Sequence, residues 1–315
     1  MANNTSKQFC PAKINLFLEV TGKRPNGYHN LAMLFGKLTL GDDLTVEVSP
    51  AEETSITLDI TGPLGRHLSG DSTNIAYKAA QRFLEQFGLT ARCHITLVKR
   101  IPMGAGLGGG SSDGAGVLRA LCEIYQKPRQ SVMALAAELG ADVPVFMYEE
   151  TFMKGEGIGE VLTPVHAPGK MPFVVLVYPC TAVATKGVFA RLKLPEQKEC
   201  LTNVSKLNKL IKDIGCGKPL TAWKDLLFNR LEECVFPCVH SVRNTKEALC
   251  KLNADSVLMS GSGSTVFALV DSETKAKDLV NNIRNTERLV FFSAFRRETD
   301  ENNGNTDTSY GGGPS

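Results

Sequence analysis

The sequence has little of what marks a membrane or nucleic-acid-binding protein. Its 315 residues contain no apolar run long enough to cross a bilayer, and residues 1–7 lack the apolar core of a signal peptide. The 35 lysines and arginines are balanced by 33 aspartates and glutamates, with both signs interspersed, so no basic surface is indicated. We therefore expect a cytoplasmic protein with no nucleic-acid or membrane partner.

Cysteine and histidine occur without the spacing of a metal site. The nine cysteines are an odd number, and the close pair Cys234 and Cys238 has no second pair or flanking histidines. The five histidines also lack ligand spacing. We therefore expect reduced, mostly buried thiols and no metal held by the protein's own side chains.

A glycine-rich run lies between a predicted strand and a predicted helix. Residues 102–112 include five glycines, so backbone N–H groups can approach an anion closely, and a helix N-terminus adds partial positive charge. Ser111, Ser112 and Asp113 are residue types that cap helices, and apolar residues follow at helical spacing. The run predicts a phosphate-binding loop, although a flexible glycine turn would have a similar composition.

Three familiar phosphate loops do not fit this run. No lysine follows the last glycine, as a Walker A loop requires. Residues 104–109 satisfy G-x-G-x-x-G, but no second strand ending in an acidic residue follows the helix, as the dinucleotide fold requires. A protein-kinase loop is excluded because neither His-Arg-Asp nor Asp-Phe-Gly occurs later.

Strands and helices alternate without steady βαβ spacing, which predicts an α+β fold. Alternation in residues 14–20 places Ile14, Leu16, Leu18 and Val20 on one face of a strand. The other predicted strands are 44–48, 56–60, 94–98, 173–178, 257–258 with 265–270 as a hairpin, and 291–295. The predicted helices are 75–87, 132–139, 207–211, 223–231, 239–252 and 276–283.

A glycine-rich connector at 154–159, followed by a stretch with prolines, predicts a domain boundary. We therefore divide the chain into an N-terminal domain at 1–165 and a C-terminal domain at 166–297. The segment 298–315 has no aliphatic residue and is predicted to be a disordered tail.

Three segments, taken in order, resemble the three motifs of the GHMP family of small-molecule kinases. They are residues 11–16 (Pro-Ala-Lys-Ile-Asn-Leu), the glycine-rich run, and residues 259–269 (Met-Ser-Gly-Ser-Gly-Ser-Thr-Val-Phe-Ala-Leu). The resemblance implies a two-domain α+β sandwich with an active site in the interdomain cleft, in which 1–165 is the ATP-binding domain and 166–297 the substrate-binding domain. It also implies direct phosphoryl transfer from ATP with Mg²⁺ to an alcohol. It implies that the nucleotide is bound by Pro102, Met103, Gly104, Ala105, Gly106, Leu107, Gly108, Gly109, Gly110, Ser111 and Ser112.

Residues 24–31 (Arg-Pro-Asn-Gly-Tyr-His-Asn-Leu) and 140–146 are similar to members of this family that phosphorylate a CDP-linked sugar alcohol. That likeness implies that Tyr28 and His29 stack on the cytosine and hydrogen-bond its edge, with Phe189 as a second stacking aromatic. From the residues alone, Tyr28 and His29 could be exposed side chains and Phe189 could be core. Residues 184–187 depart from the prolines of relatives, which leaves the pocket wall there open.

Asp142 is the candidate base because an aspartate is ionised at neutral pH and can accept a proton. Spacing alone would equally let it cap the turn that follows; in the family, the matching aspartate is the catalytic base. The family also places the lysine matching Lys13 beside that aspartate, where it would keep the carboxylate ionised and stabilise phosphoryl charge. Without the resemblance, Lys13 would be a surface charge. Asn15 falls on the same side of the strand and would be a polar partner.

Two further features carry alternatives. As the third motif, Gly261, Ser262 and Gly263 would support the phosphate loop and the substrate diphosphate; as a lone hairpin they would be structural. Asp113 could help hold magnesium through water or cap the helix, and we expect the cap.

The same fold could instead serve homoserine, mevalonate or phosphomevalonate, or a catalytically silent sensor. Homoserine, mevalonate and phosphomevalonate have no nucleobase for Tyr28 and His29 to stack on, which argues against these substrates. Intact Lys13 and Asp142 argue against the sensor. We expect a monomer or a weak homodimer.

Overall fold

The computed structural model describes residues 4–284 and 288–297, so the tail predicted at 298–315 lies outside the described residues. The strands are β1 (Thr5–Lys23), β2 (His29–Pro50), β3 (Ser55–Thr61), β4 (Ala91–Val98), β5 (Phe152–Gly157), β6 (Val161–Val165), β7 (Phe173–Tyr178), β8 (Phe228–Asn229), β9 (Ser256–Met259), β10 (Val266–Val270) and β11 (Leu289–Ala294). The helices are α1 (Ile75–Phe87), α2 (Gly109–Ile124), α3 (Met133–Leu139), α4 (Thr185–Arg191), α5 (Gln197–Gly215), α6 (Leu220–Trp223), α7 (Glu232–Val235), α8 (His240–Lys251) and α9 (Glu273–Ile283). None of these helices has the length and apolarity needed to cross a bilayer.

The first sheet is built on one long antiparallel pair. β1 and β2 pair from Thr5 opposite Glu47 to Lys23 opposite His29. The strand order is β3-β4-β2-β1-β8, with β5 also on β2 and β6 on β5. The second sheet is antiparallel, in the order β11-β7-β10-β9. The chain therefore crosses from one sheet to the other between β6 and β7, and returns briefly with β8.

The prediction that residues 14–20 present one apolar face is wrong. The register of β1 against β2 shifts between Asn15 and Phe17. Such a bulge adds one residue to a strand and reverses the faces of those that follow. Ile14 and Leu16 consequently pack in one hydrophobic cluster, while Leu18 and Val20 pack in the other.

The first sheet is covered on both faces. Helices α1 and α2 pack on one face through small and apolar side chains, among them Ala79, Phe83 and Leu118. The other face meets the second sheet and α5, where Ile14, Leu176, Phe267 and Leu210 belong to one cluster. Helices α8 and α9 pack against the second sheet. The predicted α+β architecture with two domains is confirmed.

The helix predicted at 223–231 is wrong. The chain there forms the end of α6, a 3-10 turn at Lys224–Leu226 and strand β8. Trp223 and Leu231 are buried, which explains the apolar spacing, but the Asn229 side chain between them donates to the carbonyls of Met259 and Gly261 at 2.7 and 2.8 Å. Tertiary hydrogen bonds therefore override the local helical pattern.

The glycine-rich segment 154–159 is a strand and turn rather than an open connector. Gly155 in β5 lies opposite Met33 of β2, and a Cβ built on it would lie 2.7 Å from the Phe35 ring. Glycine is used here for close packing rather than for flexibility.

The cysteines are free thiols, but the expectation that most are buried is wrong. Four are buried, one is half-buried and four are exposed, the exposed ones being Cys180, Cys216, Cys238 and Cys250. The exposed thiols lie on loops and on polar faces of helices, where periodicity alone gives no reason for burial.

Candidate active site

The glycine loop joins β4 to α2 with a backbone that favours glycine. Gly104, Gly106 and Gly108 have φ of +65°, +76° and +70°. Gly108 is the N-cap of α2, and within the described part of the chain no side chain caps this helix end. Ser111, Ser112 and Asp113, expected near a capping position, instead lie inside the first turns. The first N–H groups of α2 are therefore left without a side-chain acceptor, which suits an anion.

The buried apolar residues of this loop anchor it to the rest of the protein. Pro102, Ala105 and Leu107 are buried, whereas Met103 is 64% exposed. Gly104 and Gly110 are exposed, Ser111 is half-buried, and Ser112 is buried with no partner for its hydroxyl among the described residues. The loop presents backbone to the solvent while its apolar side chains hold it in place.

The glycine loop packs backbone to backbone against the loop between β9 and β10. A Cβ on Gly106 would lie 2.3 Å from the Ser260 carbonyl oxygen and 2.7 Å from that of Gly263. The Thr265 N–H donates to the Ala105 carbonyl at 3.1 Å, and Ser260 Oγ donates to the Gly106 carbonyl at 3.0 Å. The two glycine-rich motifs thus form one structural unit across the two domains.

Lys13 and Asp142 form an ion pair at the edge of this unit. Lys13 Nζ lies 3.3 Å from Asp142 Oδ2 and donates to Asn15 Oδ1 at 2.8 Å. The Lys13 side chain is 5% exposed and that of Asp142 is 36% exposed. Asp142 precedes the 3-10 helix Val143–Met147, but in the described residues its carboxylate makes no capping bond to it. A buried ammonium is therefore directed at a carboxylate that solvent can reach.

Lys13 also contacts both glycine-rich loops. The backbone N–H of Lys13 donates to the Leu107 carbonyl at 2.9 Å. A Cβ built on Gly108 would lie 3.1 Å from Lys13 Cγ. A Cβ on Gly261 would lie 3.4 Å from Lys13 Nζ and 3.3 Å from Asn15 Oδ1. The three segments that resemble the family motifs therefore meet around one ammonium group.

The structure brings His29 and Phe189 together from the two domains. Their ring centroids are 5.3 Å apart and the rings are inclined by 26°. Tyr28, next to His29, is 59% exposed. Burial and the nearby Lys23 ammonium lower the pKa of His29 below its ordinary value, so its imidazole is neutral at neutral pH. A neutral imidazole offers one donor and one acceptor.

Helix α4 connects the aromatic pair to the glycine loops. Thr185 Oγ1, at its start, lies 2.8 Å from Ser262 Oγ, and Phe189 follows one turn later. Residues four apart share a face of a helix, so the face of α4 that places Thr185 against Ser262 also places Phe189 against His29. Residues 184–187, which contain no proline, form the N-cap and the first residues of this helix.

A buried cluster beneath the loop was missed by sequence reasoning. Asp113 neither caps α2 nor faces the solvent: it is 3% exposed and accepts a hydrogen bond from Lys99 at 2.6 Å, and Lys99 in turn bonds to Asp42. One signal was available. Position 99 continues the inward alternation of Cys93, Ile95 and Leu97, and a lysine on an inward face requires a carboxylate partner.

A glycine loop at a helix N-terminus and a Lys–Asp pair thus meet where the two domains contact each other, an arrangement that suits phosphoryl transfer. The chain matches the GHMP kinases N terminal domain over residues 74–150 and the GHMP kinases C terminal region over residues 209–288. It belongs to the GHMP kinase family and is an ATP-dependent kinase.

Several curated relatives carry one name, 4-diphosphocytidyl-2-C-methyl-D-erythritol kinase. That of Lachnoclostridium phytofermentans is 36% identical over 84% of this chain and 88% of its own length. That of Deinococcus radiodurans is 38% identical over 85% of each. A crystal structure of 4-(cytidine 5'-diphospho)-2C-methyl-D-erythritol kinase has a TM-score of 0.72 and 31% identity, covering 93% of this chain and 100% of its own. A homoserine kinase of Cytophaga hutchinsonii, at TM-score 0.74 but 17% identity over 94% and 96% of the chains, shares the fold.

Proposed function

We propose that this chain transfers a phosphoryl group from ATP to a hydroxyl of 4-diphosphocytidyl-2-C-methyl-D-erythritol, in the non-mevalonate route to isoprenoid precursors. The names of its relatives support this substrate. The observation that carries the proposal is that the aromatic side chains of His29 and Phe189 converge from the two domains, because homoserine and mevalonate have no nucleobase for aromatic side chains to bind.

Asp142 and Lys13 would perform the transfer. As the substrate oxygen bonds to the γ-phosphorus and the bond to ADP breaks, Asp142 accepts the hydroxyl proton. Lys13 lies 3.3 Å from that carboxylate and would stabilise negative charge on the transferred group. Asn15 holds the ammonium in place from the same strand.

The glycine loop at 102–112 would hold the ATP phosphates on its own N–H groups and those at the start of α2. Gly261 and Ser262 would support the loop and the substrate diphosphate. When bound, Mg²⁺ would neutralise phosphate charge, and the Ser111 hydroxyl in the first turn of α2 is an oxygen donor that suits it. Residues 1–165 would thus mainly bind ATP, and residues 166–297 the alcohol substrate.

Cytosine would be held by Tyr28, His29 and Phe189. The present ring separation of 5.3 Å leaves no room for a base, which needs about 3.5 Å on each side. His29 would therefore leave the Phe189 face and bind the cytosine edge, while Tyr28, exposed here, would cover the second face.

The test is ADP release from MgATP with four alcohols: 4-diphosphocytidyl-2-C-methyl-D-erythritol, homoserine, mevalonate and phosphomevalonate. We expect turnover with the CDP-linked alcohol and background rates with the other three. Turnover on another alcohol would overturn the cytidine assignment while leaving the roles of Lys13 and Asp142 intact. ATP binding without turnover on any of the four would favour a sensor.

A further inference from the structure

The loop that carries Tyr28 joins β1 to β2 and is exposed over most of its length. This β1–β2 loop comprises residues 24–28. The Arg24 N–H donates to the Tyr28 carbonyl at 2.7 Å, and the Gly27 N–H donates to the Arg24 carbonyl at 3.0 Å. Residues 25–28 are exposed, so apolar packing contributes little to fixing the position of the loop.

The Arg24 side chain ties this loop to a second turn of the first sheet. Its Nε donates to Asn30 Oδ1 of β2 at 2.6 Å, and its Nη2 donates to Glu160 Oε1 at 3.2 Å. Glu160 belongs to the β5–β6 turn, residues 158–160. A guanidinium presents several donors in a rigid fork, so one side chain holds both partners at once.

The Glu160 carboxylate is itself held in place. Its Oε2 accepts a hydrogen bond from the Ile158 N–H within the turn. A Cβ built on Gly157, whose φ is +71°, would clash with this carboxylate, so glycine makes room for it. One oxygen of Glu160 is therefore bound by the turn backbone and the other by Arg24.

The β5–β6 turn also lies against the residue that precedes Asp142. A Cβ built on Gly159 would lie 3.8 Å from the Ala141 carbonyl oxygen and 3.4 Å from Met33 Cε of β2. The turn thus contacts the segment of the proposed base on one side and, through Glu160, the β1–β2 loop on the other. Fixing the turn fixes the loop relative to that base.

The pair of Arg24 and Glu160 contributes little to the stability of the fold. Their side chains are 34% and 38% exposed, and ion pairs with that much access to water add little to the free energy of unfolding. The pair joins an exposed loop to a neighbouring turn. Its effect is therefore expected on the position of the loop rather than on folding.

We propose that Arg24 and Glu160 are positioning residues for substrate binding, because they hold the β1–β2 loop where Tyr28 and His29 can receive cytosine. The inference deepens the proposed function and rests on its cytidine site. Both residues act through the loop and not by touching the substrate. Without the pair, the loop also adopts conformations that do not bind cytosine, and apparent affinity falls with the binding-competent fraction.

Steady-state kinetics of Arg24→Gln and Glu160→Gln test this role. We expect KM for the CDP-linked alcohol to rise about three- to tenfold in each variant, as the binding-competent fraction falls to roughly a third to a tenth. KM for ATP should stay unchanged, and kcat should stay within about twofold, because the loop is ordered again once substrate is bound. A general loss of structure would instead lower kcat and raise both KM values.

The double variant of Arg24→Gln and Glu160→Gln should resemble the single variants, because all three lack the same contact; independent effects would multiply. Arg24→Lys, which keeps the charge but lacks the fork, should fall between the wild type and Arg24→Gln. Arg82→Gln is the matched control. It breaks an exposed pair with Glu138, at 2.8 Å, that joins α1 to α3, and its KM for the CDP-linked alcohol should equal that of the wild type.

Calorimetric titration with CDP, in the absence of ATP, measures the cytidine site without turnover. We expect the Kd for CDP to rise about three- to tenfold in Arg24→Gln and in Glu160→Gln, and to be unchanged in Arg82→Gln. Urea denaturation should give all three variants midpoints close to that of the wild type.

A KM for the CDP-linked alcohol and a Kd for CDP that stay within about twofold of the wild type in both single variants would overturn the inference. Effects that multiply in the double variant, or an equal rise in Arg82→Gln, would also overturn it. Each of these results would leave the proposed function standing. A wild type without turnover on the CDP-linked alcohol would overturn both.

Discussion

At the scale of single residues, the candidate site pairs a buried cation with a carboxylate that solvent can reach. Lys13 has Asn15 and Asp142 as partners and little access to water. Burying an ammonium is unfavourable unless such partners contact it. Asp142, being partly exposed, is free to meet an incoming hydroxyl. The unequal exposure is consistent with the roles proposed above, a fixed charge on the lysine and proton transfer by the aspartate.

Replacing Asp142 by asparagine retains its size and removes the base. We expect Asp142→Asn to lower kcat by at least about 10²- to 10⁴-fold, the contribution typical of a positioned base. Its Kd for MgADP should change little, because the loop N–H groups are untouched. ADP-release kinetics and calorimetry measure the two quantities. Near-normal kcat would contradict the assignment of Asp142 as base.

His29→Ala removes a ring contact and a hydrogen-bonding edge while sparing the Lys13 and Asp142 pair. We expect KM for the CDP-linked alcohol to rise about tenfold or more, with a smaller change in kcat and none in KM for ATP. His240→Ala is the matched control, since His240 is exposed at the start of α8. An unchanged KM in His29→Ala would remove His29 from the cytosine pocket.

At the scale of elements, the two glycine-rich loops leave no space between them. Gly106→Ala places a methyl group against the Ser260 and Gly263 carbonyls at a positive φ. We expect it to destabilise the fold by about 1–3 kcal/mol more than Gly88→Ala, which meets a positive φ but open space. It should also raise KM for ATP. Urea denaturation and steady-state kinetics test this; equal losses in the two variants would contradict it.

A second element-scale contact ties β8 to β1 and α5. Arg230 bonds to both carboxylate oxygens of the fully buried Glu19 at 2.8 Å and to Glu199 of α5 at 2.6 Å. Arg230→Met leaves Glu19 without its cation, which typically costs about 3–5 kcal/mol. Adding Glu19→Gln should recover part of that loss. Denaturation of the single and double variants measures both effects; a loss below about 1 kcal/mol in Arg230→Met would show that the pair is dispensable.

Helices and strands whose periodicity and bounding residues all lie within the segment itself could be predicted from sequence. Helix α1 begins after Asn74, whose side chain accepts from the Ala76 N–H, and ends at Gly88 in the left-handed conformation, so both bounds agree with the prediction. The hairpin of β9 and β10 was predicted from its apolar strands and glycine turn. The candidate site residues could be proposed from sequence because three segments resemble the motifs of a known family.

The remaining features depend on contacts between distant residues. The bulge in β1 is set by its pairing with β2, and no residue type within 14–20 marks it. Strand β8 exists because Asn229 reaches carbonyls about thirty residues further along the chain. The bond between Lys99 and Asp42 spans 57 residues, so only its inward position, and not its partner, is readable from the chain.

At the scale of the whole molecule, the two sheets are also joined near the C-terminal end of the described chain. Leu38 of β2 forms a bridge with Phe295, and Thr39 Oγ1 lies 3.2 Å from Ser293 Oγ. The two sheets are therefore connected near the last described strand as well as through the glycine loops. We therefore expect a ligand that binds between the two sheets to stabilise both of them together.

Asp142→Asn allows both substrates to be bound without turnover. At 100 times its Kd, each ligand should raise the free energy of unfolding by about 2.7 kcal/mol, and the two effects should at least add. Thermal melting with MgATP, the CDP-linked alcohol and both together measures this, with homoserine as the control that gives no shift. A CDP-linked alcohol that stabilises only in the absence of MgATP would indicate competition for one site.

Strand β8 limits how the chain can be divided into parts that are exchanged between proteins. Its two residues pair with Phe17 and Leu18 of β1, so the second half of the chain completes the edge of the first sheet. A chimera joining residues 1–165 of this chain to the second half of a relative would need a foreign β8 that fits this edge. Recombination between family members should therefore succeed where β1 and β8 are inherited together, and the halves are not interchangeable modules.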